Sequence, residues 1–248
     1  DPERVRLVAV TKSVGAPTAA LLAELGVLDL GESRVQELER KLGWLGSGER
    51  PAPPVRWHLI GHLQRNKVRR ALRSAGSLHS LDSLRLLEAL EKAAAEEHVR
   101  PRVYFEVRLA LGTPGNAAER TGFEPRELPE LFARARDLEH LRPVGLMAMG
   151  PAPEPEAPES AGDGLPEQSS RQAPSRAVFA ELAGLRERWR EQAPEVFEGG
   201  AIELSMGMSS DLEAAVAEGS DIVRVGTALF EGVELAPDAA RGRTGAGA

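Results

Sequence analysis

The sequence predicts an α/β protein of the (β/α)8 type, a TIM barrel, and three observations support this fold class. Eight short runs rich in β-branched and aromatic residues alternate with longer helical patterns. From residue 5 to residue 221 a new run begins about every 31 residues, which is the length of one strand and helix unit. The chain of 248 residues is long enough for eight such units.

The predicted strands are four to seven residues long, and each ends before a polar or glycine-rich turn. They cover residues 5–10, 27–30, 57–60, 77–80, 102–107, 141–147, 201–204 and 221–225.

Two helices are defined by their own patterns. Apolar residues recur at helical spacing over 82–97, where Asp82 or Ser83 can cap the first turn. The same pattern recurs over 177–192. Charged residues fill the opposite faces, as expected of helices that cover a barrel.

We expect residues 1–235 to form a single barrel domain, with one segment that breaks the alternation. Residues 151–170 are rich in Pro, Glu and Ser and follow the sixth strand, which predicts a flexible surface loop. A lid over the site is the alternative, because the loop leaves the carboxyl end of a strand. Residues 236–248 are poor in apolar residues and are expected to form a disordered tail.

Composition excludes several classes of protein. The 31 Lys and Arg against 38 Asp and Glu give a net charge of −7, which argues against nucleic acid as a partner. The lack of cysteine excludes disulfides, thiolate zinc sites and a cysteine nucleophile. No apolar run approaches the ~18 residues that span a bilayer, and no signal peptide is recognisable, so we expect no membrane association and a cytoplasmic location. No His, Asp and Glu spacing predicts a metal site.

Lys12 is the first candidate for chemistry. It ends the run VRLVAVTK at the carboxyl end of the first strand, where catalytic groups of barrels lie. A partly desolvated lysine there could attack a carbonyl and form a Schiff base, although a solvated lysine that merely ends a strand is the alternative. The other three lysines, Lys41, Lys67 and Lys92, have Arg and Glu neighbours, which predicts surface positions.

The second candidate is a phosphate site near the end of the chain. Ser209 lies in a Gly- and Ser-rich turn after the seventh strand, and Gly226 and Thr227 directly follow the eighth. In barrels, free backbone N–H groups of these two loops converge on phosphate. Two ordinary capped turns are the alternative, but their occurrence in this pair of loops favours a binding site.

Several motifs together resemble one known family. GESRVQE, WHLIGHLQRNK, GLMAM, LSMGMSSDLEAA and VRVGTALF, with Lys12 in VAVTK, closely resemble the YggS/PROSC family of pyridoxal phosphate homeostasis proteins. The resemblance covers residues 5 to about 232. It implies a barrel like the N-terminal domain of alanine racemase, of fold type III among pyridoxal phosphate proteins. It also implies pyridoxal 5′-phosphate (PLP) held as an aldimine on Lys12.

The same resemblance assigns the remaining site residues. Ser209, Gly226 and Thr227 would hold the phosphate, and Arg224 would face the pyridine nitrogen. Arginine keeps its proton at neutral pH, so Arg224 would donate a hydrogen bond and leave that nitrogen unprotonated. The ring would then be a weaker electron sink than one paired with a carboxylate.

Three features depart from the family pattern. Ser33 stands where the family usually has Asn, so a cofactor contact there is expected to be shorter or water-mediated. Arg120 replaces the usual Lys, which keeps the charge but excludes any role for a neutral amine. The family's helix before the first strand has no counterpart in this sequence. Within WHLIGHLQRNK, His58 is expected to be a hydrogen-bonded strand residue, and the role of His62 stays open.

Three functions are compatible with these features. The resemblance implies a non-catalytic PLP carrier that serves apo-enzymes, and the lack of a second domain favours a monomer. The alternative is a PLP-dependent racemase, which would need a second base, and the one tyrosine, Tyr104, lies inside the fifth predicted strand. A phosphosugar enzyme would explain the phosphate loops but not Lys12.

Overall fold

The computed structural model describes residues 4–47, 54–109, 121–151 and 172–232. Within these ranges eight parallel strands close into a barrel in chain order, with the eighth strand pairing the first. The predicted (β/α)8 barrel is therefore confirmed. The strands are β1 (Arg6–Val10), β2 (Asp29–Glu32), β3 (Arg56–Leu59), β4 (Ser77–Leu81), β5 (Arg102–Glu106), β6 (Arg142–Met147), β7 (Glu203–Ser205) and β8 (Ile222–Val225).

Helices lie between the strands and cover the outside of the barrel. In the described ranges they are α1 (Ala16–Glu24), α2 (Val35–Gly46), α3 (Val68–Ser74), α4 (Leu84–Glu97), α5 (Leu128–Ala135), α6 (Ala173–Gln192), α7 (Leu212–Ala217) and α8 (Thr227–Phe230). Short 3₁₀ segments cover Arg65–Lys67, Pro125–Glu127, Pro194–Val196 and Glu198–Gly200.

Local interactions in the first turn explain where α4 and α6 begin. Ser83 caps α4, because its Oγ accepts a hydrogen bond from Leu86 N at 3.3 Å. Helix α6 begins four residues before its predicted start, at Ala173, because Pro174 lies in the first turn, where a missing N–H is tolerated.

The apolar residues form two layers. Alternate strand residues point outward and pack against the helices, for example Leu30 and Phe105 against Leu38 and Phe132. A smaller apolar cluster occupies the other strand face, inside the barrel. Its buried members are Val8, Tyr104, Val144, Met147 and Ile222.

Strand β2 lies two residues further along the chain than the prediction of 27–30. Val27 N donates to Leu22 O at 2.9 Å, and Gly26 adopts φ +90°, so this segment closes α1 instead of entering the sheet. The strand instead continues through Gly31 and Glu32.

Two predictions concern segments outside the described residues. The expected loop at 151–170 lies outside them except for residue 151, and so does the expected tail at 236–248. Within the described ranges, no helix combines the length and the apolar character that crossing a membrane requires.

Candidate functional site

Lys12 lies just beyond the carboxyl end of β1, as predicted. Its side chain is exposed, and among the described residues its amine has no hydrogen bond or ion pair. The preceding residue is tied into the sheet, because Thr11 N donates to Gly31 O at 2.8 Å. The sheet therefore anchors the backbone while the amine stays available to a ligand.

The loops after β7 and β8 are joined to each other. Ser209 Oγ accepts a hydrogen bond from Ala228 N at 3.3 Å, and Thr227 begins α8. The first N–H groups of a helix have no acceptor inside the helix. Ala228 N and Leu229 N are already bonded, but the N–H groups of Ser209, Gly226 and Thr227 have no partner among the described residues. The two loops thus present a hydroxyl and free backbone donors together.

Two glycines allow the loops to take this shape. Gly207 adopts φ +96°, and a Cβ there would lie 2.4 Å from the Cβ of Ala215. A Cβ on Gly226 would lie 3.2 Å from the Cβ and the carbonyl oxygen of Val10. Nearby, the Asp211 carboxylate accepts from Met208 N at 2.6 Å, which fixes the turn that contains Ser209.

Arg224 is buried at the inner side of β8. Its Nη1 donates to Ser205 O at 2.7 Å and to Ser205 Oγ at 2.6 Å, and its Nη2 donates to Ala148 O at 3.2 Å. Burial lowers the pKa of Arg224 to about 10, with Asp211 and Glu106 opposing the shift, so the guanidinium is charged at neutral pH. Three of its five N–H hydrogens are used, so the Nε hydrogen and the second Nη2 hydrogen have no partner among the described residues and remain available to a ligand.

Ser33 follows β2 directly. Its N–H donates to Glu32 Oε1 at 2.8 Å, and a Cβ on Gly61 would lie 2.3 Å from its carbonyl oxygen. The backbone at Ser33 is therefore tightly held from both sides. Its partly buried hydroxyl has no hydrogen bond among the described residues.

Strand order brings these residues to one sector of the barrel mouth. The candidates lie on or just after β1, β2, β7 and β8, which are consecutive strands once the barrel is closed. The register pairs Ala9 with Val225, so Lys12 and Gly226 leave two neighbouring strands at the same edge. The candidates are Lys12, Ser33, Ser209, Arg224, Gly226 and Thr227.

A hydrogen-bonded chain runs through the barrel interior to Arg224. Asp29 Oδ1 lies 2.9 Å from His58 Nε2, and His58 Nδ1 lies 2.9 Å from His79 Nε2. His79 Nδ1 lies 2.8 Å from Ser205 Oγ, which accepts from Arg224. We call the set Asp29, His58, His79, Ser205 and Arg224 the interior chain. The prediction that His58 is a hydrogen-bonded strand histidine is confirmed.

The donors and acceptors of the interior chain fit one arrangement with neutral imidazoles. Asp29 can only accept, so His58 donates to it from Nε2 and accepts at Nδ1 from His79. His79 then accepts at Nδ1 from the Ser205 hydroxyl. Burial lowers the pKa of His79 well below its usual value, and the charge of Arg224 adds to the shift, which keeps this ring neutral.

The charged end of the interior chain lies at Asp29, where β2 begins. Burial would raise the pKa of Asp29, but hydrogen bonds from Arg56 and His58 outweigh it and hold the pKa well below its usual range. Arg56 binds both carboxylate oxygens, at 2.8 and 2.6 Å. Asp29 is therefore a carboxylate at neutral pH.

Glu106, at the carboxyl end of β5, is a further buried acid of the barrel mouth. Thr121 Oγ1 donates to its Oε1 at 2.9 Å, and Phe123 N donates to its carbonyl oxygen at 2.8 Å. Burial raises the pKa of Glu106, and the charge of Asp82 adds to the shift. The motif RTGF thus folds back on β5 and holds this carboxyl, while its first residue, Arg120, lies outside the described residues.

The prediction that Lys41 lies on the surface is wrong. Lys41 and Glu32 are each about 1% exposed and form an ion pair with 2.5 Å between Nζ and Oε2. Its neighbours in sequence are charged because they occupy other faces of α2, and this face turns toward the barrel. Lys92 is exposed as predicted, and Lys67 is half-buried.

His62, whose role the sequence left open, pairs with an acid at the mouth. Its Nδ1 lies 2.9 Å from Asp82 Oδ2, and the two line a cavity of about 610 Å³ together with Arg85 and Phe123. Within the described ranges, no group of three His, Cys, Asp or Glu side chains could hold a metal ion.

Sequence reasoning missed His79, Glu106 and the Lys41–Glu32 pair. Polar residues inside predicted strands were the available signal, because a buried polar side chain requires a partner. The segments HLI and LHS place His58 and His79 in predicted strands, and these two histidines are hydrogen-bonded to each other.

Comparison with known proteins identifies relatives of this chain. The family model described as the N-terminal domain of alanine racemase matches residues 2–233. Proteins named pyridoxal phosphate homeostasis protein are similar along most of their length. The one from Mycobacterium tuberculosis is 35% identical, covering 91% of this chain and 82% of the relative. The one from Escherichia coli is 32% identical, covering 93% and 86%.

Solved structures give the same result. PipY of Synechococcus elongatus, solved with PLP bound, is 33% identical with a TM-score of 0.74, covering 93% of this chain and 94% of that chain. A diaminopimelate decarboxylase from M. jannaschii has a TM-score of 0.64 at 15% identity, covering 91% of this chain and 54% of that chain, and shares the fold alone.

Proposed function

The chain belongs to the family of the alanine racemase N-terminal domain, and on this premise we propose that it binds pyridoxal 5′-phosphate and serves PLP homeostasis without catalysis. The name of its relatives states pyridoxal phosphate homeostasis for them, and PipY has been solved with PLP bound. Residues 1–235 would form one PLP-binding domain.

The observation that carries the proposal is the position of Lys12 relative to β8. Its amine, which has no partner among the described residues, follows β1, and Gly226 and Thr227 follow the neighbouring strand β8. An amine and a set of free backbone donors thus leave the same edge of the barrel. A ligand with a phosphate and an aldehyde fits such a pair of groups.

Each remaining candidate has a role in this proposal. Ser209, Gly226 and Thr227 would hold the phosphate through the hydroxyl and the free N–H groups of their joined loops. Arg224 would donate from Nε to the ring nitrogen, and its other bonds fix the guanidinium plane. Ser33, whose hydroxyl lacks a partner among the described residues, would contact the cofactor directly or through water.

When bound, PLP supplies an aldehyde that a lysine can hold covalently and a ring that withdraws electrons. Lys12 would hold the aldehyde reversibly, so that the cofactor can be accepted and released. Arg224 keeps its charge at neutral pH and cannot protonate the ring nitrogen, which weakens electron withdrawal. Such a site suits storage and delivery better than carbanion chemistry.

The alternative, a racemase, needs a second base across the ring from Lys12. Tyr104 does not serve this purpose, because it stacks on His79 inside the barrel with ring centroids 4.3 Å apart. Its hydroxyl donates to Glu203, and burial raises its pKa. This position disfavours the racemase, and incubation with a panel of L-amino acids tests it through the appearance of D-isomers.

The finer parts of the proposal concern partners and location. The recipients would be PLP-dependent apo-enzymes of the cytoplasm, and the protein would act as a monomer. Light scattering of the purified protein tests the monomer, and transfer of PLP to an added apo-enzyme tests delivery.

The decisive experiment adds PLP to the purified protein, records the visible spectrum and reduces the mixture with borohydride before peptide mapping. We expect the label on Lys12 and no turnover of amino acids. Lys12→Ala should lose the visible band, and Lys92→Ala, which changes an exposed lysine of α4, should keep it. Label spread over several lysines, or an unchanged spectrum for Lys12→Ala, would refute the proposal.

A further inference from the structure

The buried ion pair of Lys41 and Glu32 touches the chain beside Lys12. Lys41 extends from α2 across the top of the sheet, and its Nζ donates to Thr11 O at 2.6 Å and to Thr11 Oγ1 at 3.1 Å. With Glu32 Oε2 at 2.5 Å, the ammonium uses all three of its hydrogens. No ligand role remains for this amine.

Glu32 extends the same contact to the next loop. Its Oε2 accepts from Lys41, and its Oε1 accepts from the backbone N–H of Ser33. The pair is therefore hydrogen-bonded both to the carbonyl of Thr11, which precedes Lys12, and to the backbone amide of Ser33. These two positions begin the turns after β1 and β2.

The energetics indicate a positioning role rather than a gain in stability. A fully buried ion pair is on average no more stabilising than apolar residues of the same volume, because both charges lose their hydration. What the pair adds is a defined geometry at Thr11. The peptide group is planar, so fixing the Thr11 oxygen also fixes the nitrogen of Lys12.

We propose that the Lys41–Glu32 pair positions Lys12 for covalent capture of the cofactor aldehyde, in which the neutral amine forms a C=N bond, the aldehyde C=O bond breaks and its oxygen leaves as water. This inference rests on the proposed function, since it assumes that Lys12 is the capturing amine. The exposed Lys12 side chain has no bond of its own among the described residues, so its reach depends on where its backbone is held. A loosened Thr11 carbonyl would leave the amine in many orientations and slow its attack.

The test replaces the pair by apolar residues in the full chain, as Lys41→Met with Glu32→Leu. The matched control is Arg136→Met with Glu195→Leu, which removes an exposed ion pair far from the barrel mouth. The rate of PLP capture is measured from the growth of the visible band. We expect it to be about tenfold slower in the first variant and unchanged in the control. Circular dichroism checks that each variant folds.

A second ligand separates positioning from general damage to the site. Pyridoxine 5′-phosphate has the same ring and phosphate but an alcohol in place of the aldehyde, so it cannot bond to lysine. The affinity of the double variant for this ligand, measured by calorimetry, should stay within about twofold of that of the unchanged protein, because the phosphate loops follow other strands. A parallel loss of both ligands would overturn the positioning role.

Hydrogen exchange of the ligand-free protein gives an independent readout. Val14 N donates to Thr11 O, and Ser33 N donates to Glu32, so these two amides should exchange faster in the double variant. If the double variant does not fold, Lys41→Met with Glu32→Gln retains the acceptor for Ser33 N while removing both charges.

The outcomes distinguish the two proposals. If the unchanged protein captures PLP on Lys12 and the double variant does so at the same rate, the positioning role is wrong and the proposed function stands. If the unchanged protein captures no PLP on Lys12, the proposed function fails and this inference fails with it.

Discussion

His58 Nδ1 lies 2.9 Å from His79 Nε2, so two buried histidines on neighbouring strands share one proton at the centre of the barrel. On one side this bond leads to the Asp29 carboxylate and on the other to Arg224 through Ser205. A carboxylate and a guanidinium at opposite ends give the interior chain a fixed direction of donation. The barrel interior therefore contains this polar chain beside its apolar cluster, and the order of the chain depends on every bond being made.

The first prediction concerns His79→Phe, which fills the space but removes both ring nitrogens. His58 Nδ1 and the Ser205 hydroxyl would lose their partners in a site that water does not reach. Unsatisfied buried polar groups are costly, so we expect a loss of about 2 kcal/mol or more in the free energy of unfolding, measured with urea.

The control for this prediction is His140→Phe. His140 bonds to Glu91, but its side chain is 41% exposed, so water can replace the lost bond. We expect a change within about 0.5 kcal/mol. Equal losses for the two variants would contradict the view that the interior chain is specifically coupled.

How far the sequence could predict the molecule is clearest at β2. Periodicity located all eight strands, because alternating apolar faces are a local property. It placed β2 too early, because Gly31 and Glu32 looked like a polar turn. Glu32 is buried since Lys41 neutralises it from α2, and neither placement is visible without the tertiary contact.

The candidate site also has parts that the sequence could predict and parts that it could not. The phosphate loops could be predicted because glycine and serine directly follow two strands whose order in a barrel is known. The partners of Arg224 could not, since Ala148 and Ser205 belong to distant parts of the chain. Contacts at long sequence separation carry no local pattern.

The second prediction follows from the raised pKa of Glu106. Burial makes the folded protein hold this proton more tightly than the unfolded chain does, so stability falls as pH rises above the usual glutamate pKa. Glu106→Gln removes that loss. The variant should therefore gain stability relative to the unchanged protein as pH rises above about 4.5, the usual glutamate pKa, as measured by urea unfolding at each pH.

Glu198→Gln provides the control with the opposite sign. A hydrogen bond from Arg142 lowers the pKa of Glu198, so its contribution is present at neutral pH and disappears as pH falls. This variant should lose a little stability at neutral pH and none in acid, and the effect is small because the pair is exposed. A shift of the same sign in both variants would refute the assignment for Glu106.

The third prediction concerns the shape of the loop after β7. Gly207→Ala would combine φ +96° with a Cβ 2.4 Å from the Cβ of Ala215, so the loop has to move. We expect a loss of about 2 kcal/mol or more in thermal or urea unfolding. Gly184→Ala, on α6 with no atom within 4 Å of its new Cβ, should instead gain up to about 1 kcal/mol.

The fourth prediction tests the joined phosphate loops with two adjacent serines. Ser209→Ala removes the hydroxyl that accepts from Ala228 N, so both the link between the loops and a donor to phosphate are lost. Losing about one hydrogen bond should weaken PLP binding about tenfold. Pyridoxal, which lacks the phosphate, should bind the variant and the unchanged protein equally, as measured by fluorescence titration. Ser210→Ala changes an exposed neighbour and should leave both ligands unaffected, whereas equal weakening of pyridoxal and PLP by Ser209→Ala would show that the loop does not act on the phosphate.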